Sequence, residues 1–324
     1  GYTCYMNANI SSVANKIISL PYNGVDNNRV GGYEVAAGKV GADGKFPTKW
    51  IAGRQEGGKL GELVAYKQQH IFKDWDDVKQ HANMRIDEVA NLYVPGLADQ
   101  INPLTNKPYK ESTGWQPIEP GDVCWEDMNG DDVINGYDRY VVGNIFPNIT
   151  GGFSTTFGYK GIALYARFDY ALGHTLYNDL AARSLGQYQG SFNVIDKVKD
   201  TWSEANPNSD LPKFYYADQL SKKNITRSYD SNTAADSNSS RFYEKGDYLA
   251  LREITLSYQL PKSLISKVHM TDASVYVTGQ NLFYITGYEG VSPEPVGSTT
   301  YGRGIDNGRY PTPRTVLFGL SVTF

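Results

Sequence analysis

The chain has 324 residues, a formal net charge of −4, and 40% hydrophobic and 13% aromatic residues, with 25 Tyr and 33 Gly. A mildly acidic balance without basic runs excludes a nucleic-acid platform, and no apolar run approaches the ~18 residues of a spanning helix. The mean hydropathy of −0.47 still admits a membrane β-barrel, because half of each such strand is polar.

Gly1 to Ile10 already alternates like a strand, and strands are predicted over 2–19, 30–38, 49–57 and 61–72. The start carries no initiator Met and no signal peptide, so the chain reads as a C-terminal fragment of something longer. Cys4 falls on the apolar side of its strand, which predicts an unpaired buried thiol rather than a disulfide with Cys124. Asp74 is placed to cap a helix running to about Tyr93, with Asp76 and Asp77 in its first turn.

Asp127-Met-Asn-Gly-Asp-Asp-Val-Ile-Asn-Gly-Tyr-Asp138 is the sharpest local signal. It puts Asp127, Asn129, Asp131 and Asp138 at positions 1, 3, 5 and 12 of a calcium loop, with the Val133 carbonyl at position 7. Asp132 stands where such loops carry a glycine, and Asp138 replaces a longer bidentate Glu. A structural Ca²⁺ and an acidic turn satisfied by its own Asx hydrogen bonds both fit this segment.

The clearest hairpin is 149–172, with Lys160-Gly161 as a two-residue turn. On its second arm Ile162, Leu164, Ala166, Phe168, Tyr170 and Leu172 share one face and Ala163, Tyr165, Arg167, Asp169 and Ala171 the other. Arg and Asp in mid-strand suit the wet interior of a barrel better than a dry sandwich core. Ser191 is placed to cap a second helix, to about Glu204. Tyr248–Leu260 and Ala273–Thr286 follow as strands, then a Gly/Pro-rich loop to Arg314, and the chain ends on Thr315–Phe324, whose even-numbered positions Val316, Phe318, Leu320, Val322 and Phe324 are all apolar. Segments 74–120, 173–247 and 287–313 are long and the turn at 160–161 is short, the asymmetry of outer-membrane barrels.

Catalytic patterns are missing. The four His lie far apart in sequence, with no HExxH pair, no G-x-S-x-G and no phosphate loop.

Over essentially its whole length, and most strongly after residue 121, the chain resembles the SusC/RagA class of TonB-dependent outer-membrane transporters of the Bacteroidota. The resemblance rests on Asp127-x-Asn-Gly-Asp131 with Asp138-Arg139, Gly151-Gly152, Tyr159-Lys-Gly161, Trp202 with Asn206-Pro207, Gly246-Asp-Tyr-Leu-Ala-Leu-Arg252, Leu256-Ser-Tyr-Gln-Leu-Pro261 and Val277-Thr-Gly-Gln-Asn-Leu-Phe-Tyr-Ile-Thr-Gly-Tyr288. Val291-Ser292 departs from the more usual Asp before Pro293-Glu294, which leaves open what holds that loop.

The resemblance implies an all-β fold: residues 1–324 would be the C-terminal part, some eight strands, of an antiparallel transmembrane barrel of about 22 strands, plugged, with long extracellular loops carrying short helices. The plug and the TonB-contacting segment would lie N-terminal to this chain. It further implies active, TonB-powered import of oligosaccharides or peptides across the outer membrane, with a SusD-like lipoprotein capping the extracellular mouth, and no enzyme activity. The alternatives are a passive porin or surface adhesin barrel, and a soluble calcium-stabilised β-sandwich lectin. The sequence names no substrate-binding residue, but Trp115, Trp202, Tyr215, Tyr216, Tyr301 and Tyr310 are candidate anchors for a partner or for sugar rings.

Overall fold

The computed structural model describes residues 1–25, 28–87, 91–182, 184–185, 195–214, 239–294, 304–308 and 310–324. They fall into two compact units: Gly1–Ala14, Phe146–Leu176 and Lys245–Phe324 form the first, and Asn15–Ile145 with Tyr177–Glu244 the second. No helix among the described residues is long and apolar enough to cross a membrane.

The first unit is a six-stranded antiparallel sheet whose strands, in spatial order, are Tyr2–Ser12, Ile149–Tyr159, Ile162–Leu172, Tyr248–Gln259, Asp272–Thr286 and Thr315–Thr323. Lys160 and Gly161 join two of them with φ of 47° and 86°, the left-handed pair that a tight two-residue hairpin needs. The register turns the predicted alternation into rows across the sheet. Cys4, Phe157, Leu164, Leu256, Val277 and Phe318 are successive neighbours in one row. Tyr2, Tyr159, Ile162, Tyr258, Val275 and Leu320 form the next apolar-face row toward the 160–161 turn. On the opposite face Asn7, Ser154, Arg167, Glu253, Gln280 and Thr315 line up in the same way.

The apolar face is open to its surroundings, with Phe318 83% and Leu320 65% exposed. Cys4 shares that exposure, so its thiol is free but not buried as predicted; Cys124 is free and buried. The connections at one end of the sheet are short, 160–161 and 260–271, whereas 13–148, 173–247 and 287–314 all leave from the other end.

The second unit departs from the sequence reading. Strands appear at Tyr33–Ala36, Thr48–Ile51, Glu62–Tyr66 and Gln68–Ile71, but they pair within small local sheets, so among the described residues the large sheet has six strands where the resemblance implies some eight. Left-handed glycines at 31, 32, 44, 53, 57 and 61 break this stretch into pieces far shorter than the 9–11 residues of a membrane-crossing strand. The first strand likewise stops at Ser12 rather than residue 19.

The helix capped by Asp74, whose carboxylate accepts N–H from Asp76 and Asp77, covers only Trp75–Gln80. Beyond it, Arg85–Ile86 and Leu92–Tyr93 pair in a four-stranded sheet with Gln116–Pro117 and Val133–Ile134. That pairing buries Ile86, Leu92 and Ile134 completely beside Phe72, Ile118 and Trp125, and tertiary burial of this kind overrides a helical period. Asp196–Asp200 is a 3-10 turn rather than the predicted α-helix, and the cap at Ser191 lies outside the described residues.

Candidate functional site

On the polar face of the six-stranded sheet, the strand Tyr248–Gln259 carries a bulge. Arg167 faces Glu253 and Phe168 faces Leu251, so Arg252 is an extra residue with no partner in the ladder. On the other side two residues, Asn281 and Leu282, stand against that same position. Asn281 takes φ of 53°, a left-handed conformation that Asn tolerates better than most residues. One extra residue flips the phase of a strand. The flip keeps Leu249 and Leu251 before the bulge, and Ile254 and Leu256 after it, on the apolar face, while both Arg252 and Glu253 point to the polar one.

Arg252 is the hub of that face. Its Nε and Nη2 donate to the two carboxylate oxygens of Asp169, the Nη2 contact measuring 2.9 Å. Nη2 also lies 2.6 Å from Glu294, and Nη1 donates to the Tyr284 hydroxyl at 3.1 Å. Tyr284 donates to Glu294 at 2.5 Å and Tyr248 to Asp169 at 3.3 Å. Arg167, one row away, lies 3.8 Å from Glu253. An open groove of about 520 Å³ runs beside the hub, lined among others by Asn7, Asn9, Ser154, Arg167, Asp169 and Arg252. A bidentate guanidinium with fixed acceptors and a row of amide and hydroxyl groups makes this a hydrogen-bonding wall, suited to polar solutes.

Glu294 comes from the segment that Val291-Ser292 left open. Asp306, itself buried, closes it: its Oδ2 accepts the Val291 N–H at 2.9 Å and the Tyr288 hydroxyl at 3.0 Å, while Oδ1 accepts Gly308 N–H at 3.0 Å. His174, buried, makes a 2.9 Å contact from Nε2 to the Pro293 carbonyl. A carboxylate well downstream thus holds this loop, which no local pattern in the sequence displays.

In the second unit the acidic loop closes on itself. Asp127 accepts N–H from Gly130 at 2.5 Å and Asp132 at 2.8 Å, Asn129 from Asp131 at 3.2 Å, and Asp131 from Val133 at 2.9 Å. Asp138 is buried, and its two oxygens accept N–H from Met128 at 2.7 Å and Asn135 at 2.9 Å, the latter as half of a capping box on Gly136–Asp138. Burial pushes the Asp138 carboxyl up to about 7, the charges of Asp127 and Asp131 acting in the same direction and the two N–H bonds against it. Asp132, where a glycine is expected, takes φ of 64° as an Asp can. The carboxylates of Asp127, Asp131 and Asp138 do not all lie within 4.8 Å of one another; among the described residues the ligand-type side chains that do are His70, His81 and Cys124. The wide sequence separation of the histidines is therefore misleading for two of the four.

The predicted aromatic anchors divide. Trp115 and Trp202 are buried in the second unit's core, and the Trp202 indole N–H donates to the Lys73 carbonyl at 3.1 Å, so they hold this unit together rather than await a partner. Tyr310 is fully exposed. Tyr215, Tyr216 and Tyr301 lie outside the described residues.

No family profile matches the chain. TonB-dependent receptor P26 of Formosa agariphila is 31% identical over 216 residues, 64% of this chain and 20% of that protein. TonB-dependent receptor P3 of the same organism is 29% identical over 212 residues, 64% of this chain and 19% of that protein. The chain is thus similar in sequence to proteins named TonB-dependent receptors. It spans about a fifth of the length of these curated relatives. Solved structures give the fold: one of the RagAB peptide transporter aligns with all of this chain and 27% of its own at a TM-score of 0.59 and 20% identity, and one of the RagAB importer in its closed-closed state reaches 0.56 with the same coverage and identity. By that likeness the six-stranded sheet is part of a β-barrel wall, with the apolar rows outward and the Arg252 network inward. The relatives are named receptors and transporters, not enzymes, in keeping with the missing catalytic patterns.

Proposed function

We propose that the chain forms part of the barrel of a TonB-dependent outer-membrane transporter that imports peptides or oligosaccharides together with a SusD-like surface lipoprotein. The sequence similarity to TonB-dependent receptors over 64% of the chain carries this reading. The girdle of Tyr2, Tyr159 and Tyr258 at the short-turn end of an exposed apolar face supports it, because aromatic rings favour the membrane–water interface. The short-turn end is then periplasmic and the long connections extracellular, forming the rim on which a lipoprotein lid would seat. Likeness to the RagAB peptide transporter favours peptides over glycans, and the wall's Arg252, Asp169, Glu253 and Arg167 supply charges of both signs for peptide termini and side chains.

Deleting the gene in its host and supplying defined peptides or oligosaccharides as the limiting nutrient tests this. Loss of growth on one class, with the same defect when TonB is removed, is expected. Uptake that survives loss of TonB indicates a passive barrel instead.

Calcium at Asp127, Asn129, Asp131, the Val133 carbonyl and Asp138 is proposed on the spacing of these donors. The ion would take the lone pairs left by the first three side chains and the carbonyl. Asp138 stands as Asp127 does, each oxygen accepting one backbone N–H and keeping a lone pair for the ion.

A further inference from the structure

We propose that His70, His81 and Cys124 form a zinc-binding site in the second unit. Three different pieces of chain bring them together. His70 lies on the strand Gln68–Ile71, Cys124 faces it from Val123–Trp125 as its direct ladder partner, and His81 is the residue that caps the C-terminus of the helix Trp75–Gln80. One donor atom from each lies within 4.8 Å of the other two. Cys124 Sγ is 3.8 Å from His81 Nε2. Zn–N and Zn–S bonds of about 2.05 and 2.3 Å at a tetrahedral angle place the two donors about 3.6 Å apart, so this pair already stands within about 0.2 Å of its liganded separation. The rings of His70 and His81 lie 6.0 Å apart, close enough for small side-chain rotations to bring the third donor in.

The surroundings are those of a built metal site. The His70 Nε2 contacts the Asp77 carboxylate at 3.1 Å, the carboxylate–imidazole arrangement that orients metal-bound histidines and raises their basicity. Asp77 is itself fixed, accepting the Lys73 N–H at 2.9 Å. Phe72 packs edge-on against both imidazoles, at 5.6 and 5.4 Å, giving the donors a dry wall. Cys124 is fully buried, inert to exposed redox chemistry yet next to two nitrogen donors. Two imidazoles and a thiolate suit zinc over calcium or magnesium, which take oxygen donors. The ion would staple a two-stranded ladder to a helix end inside the unit's largest core, and the fourth coordination position would be left to water or to Gln69, whose Oε1 is 3.7 Å from Cys124 Sγ.

The test uses the detergent-purified protein, loaded with Zn²⁺, dialysed, and analysed for metal by mass spectrometry, with Co²⁺ as the spectroscopic probe. The wild type and Cys4→Ser should each hold one zinc equivalent more than Cys124→Ser and His81→Gln. Co²⁺ should give a thiolate-to-metal charge-transfer band in Cys4→Ser, bleached on adding Zn²⁺. Asp77→Asn should weaken zinc binding about 10–100-fold while retaining the band at saturating Co²⁺. Equal zinc in Cys124→Ser and wild type overturns the site. So does a folded Cys4→Ser protein with no charge-transfer band, which would leave the Cys124–His81 contact as a weak S–H hydrogen bond. The cobalt band in Cys4→Ser decides the matter even if the Cys124 and His81 variants fail to fold.

Discussion

Replacing Arg252 with Met should loosen the barrel wall and release the 291–294 segment. The guanidinium is 19% exposed and the two carboxylates it joins, Asp169 and Glu294, are 34% and 32% exposed. Removing a partner from a fully buried pair costs about 3–5 kcal/mol, because a desolvated charge is left behind. Here water reaches a third of each carboxylate and recovers part of that, so a loss of about 2–3 kcal/mol is expected. Lysine keeps the charge but not the two-pronged fit to Asp169, and Arg252→Lys should recover about half. Equilibrium urea unfolding in lipid vesicles measures the loss, and a double-mutant cycle with Asp169→Asn should return a coupling of about 1–2 kcal/mol. Proteolysis in 287–294 should accelerate in Arg252→Met, since Glu294 loses its ion pair while Asp306 still holds Val291. An unchanged urea midpoint, or a coupling under about 0.3 kcal/mol, would refute the hub.

Ile254→Arg sits on the outward face opposite Ala166 and Gly279, further from the Tyr258 girdle than Leu256, and should cost about 2–4 kcal/mol toward membrane mid-depth, whereas Thr255→Arg, one residue on, should cost about 1 or less; gel-shift assays of folded barrel against unfolded chain distinguish them, and equal effects would invert the sheet. Gly121 has φ of 93° and a Cβ there would stand 2.6 Å from Lys213 Cβ and 2.7 Å from the Trp202 ring, so Gly121→Ala should destabilise the second unit by at least about 2 kcal/mol. All five Trp lie in that unit, so the midpoint of tryptophan fluorescence against denaturant reads it directly, and an unshifted midpoint would contradict the packing. The same signal tests calcium: Ca²⁺ over EGTA should raise the midpoint in wild type and not in Asp131→Asn, and a midpoint indifferent to Ca²⁺ leaves the loop as the self-satisfied turn its hydrogen bonds describe.

The strands of the barrel wall were legible in the sequence because a period of two needs no partner to be read. The alternation in Ile162–Leu172 and Thr315–Phe324 already says which side chains share a face, and Lys160-Gly161 says where the chain reverses. The loop 127–138 was equally visible as an acidic turn, since its hydrogen bonds run between residues within a dozen positions. What the sequence could not show depends on separations too long for any local pattern. The bulge that turns both Arg252 and Glu253 inward exists only because Asn281 and Leu282 stand opposite. Asp306 becomes the keystone of 288–294 only when the chain folds back on itself. The stretch 30–72 reads as barrel strands by propensity, yet its glycines break it into short strands, the last of which ends at Ile71 and Phe72 in a core shared with Trp125. Inside that core His70, His81 and Cys124, scattered in the sequence, meet because a two-stranded ladder and a helix end converge there. Local spacing fixes faces and turns; which distant side chains share a place is set by tertiary packing alone.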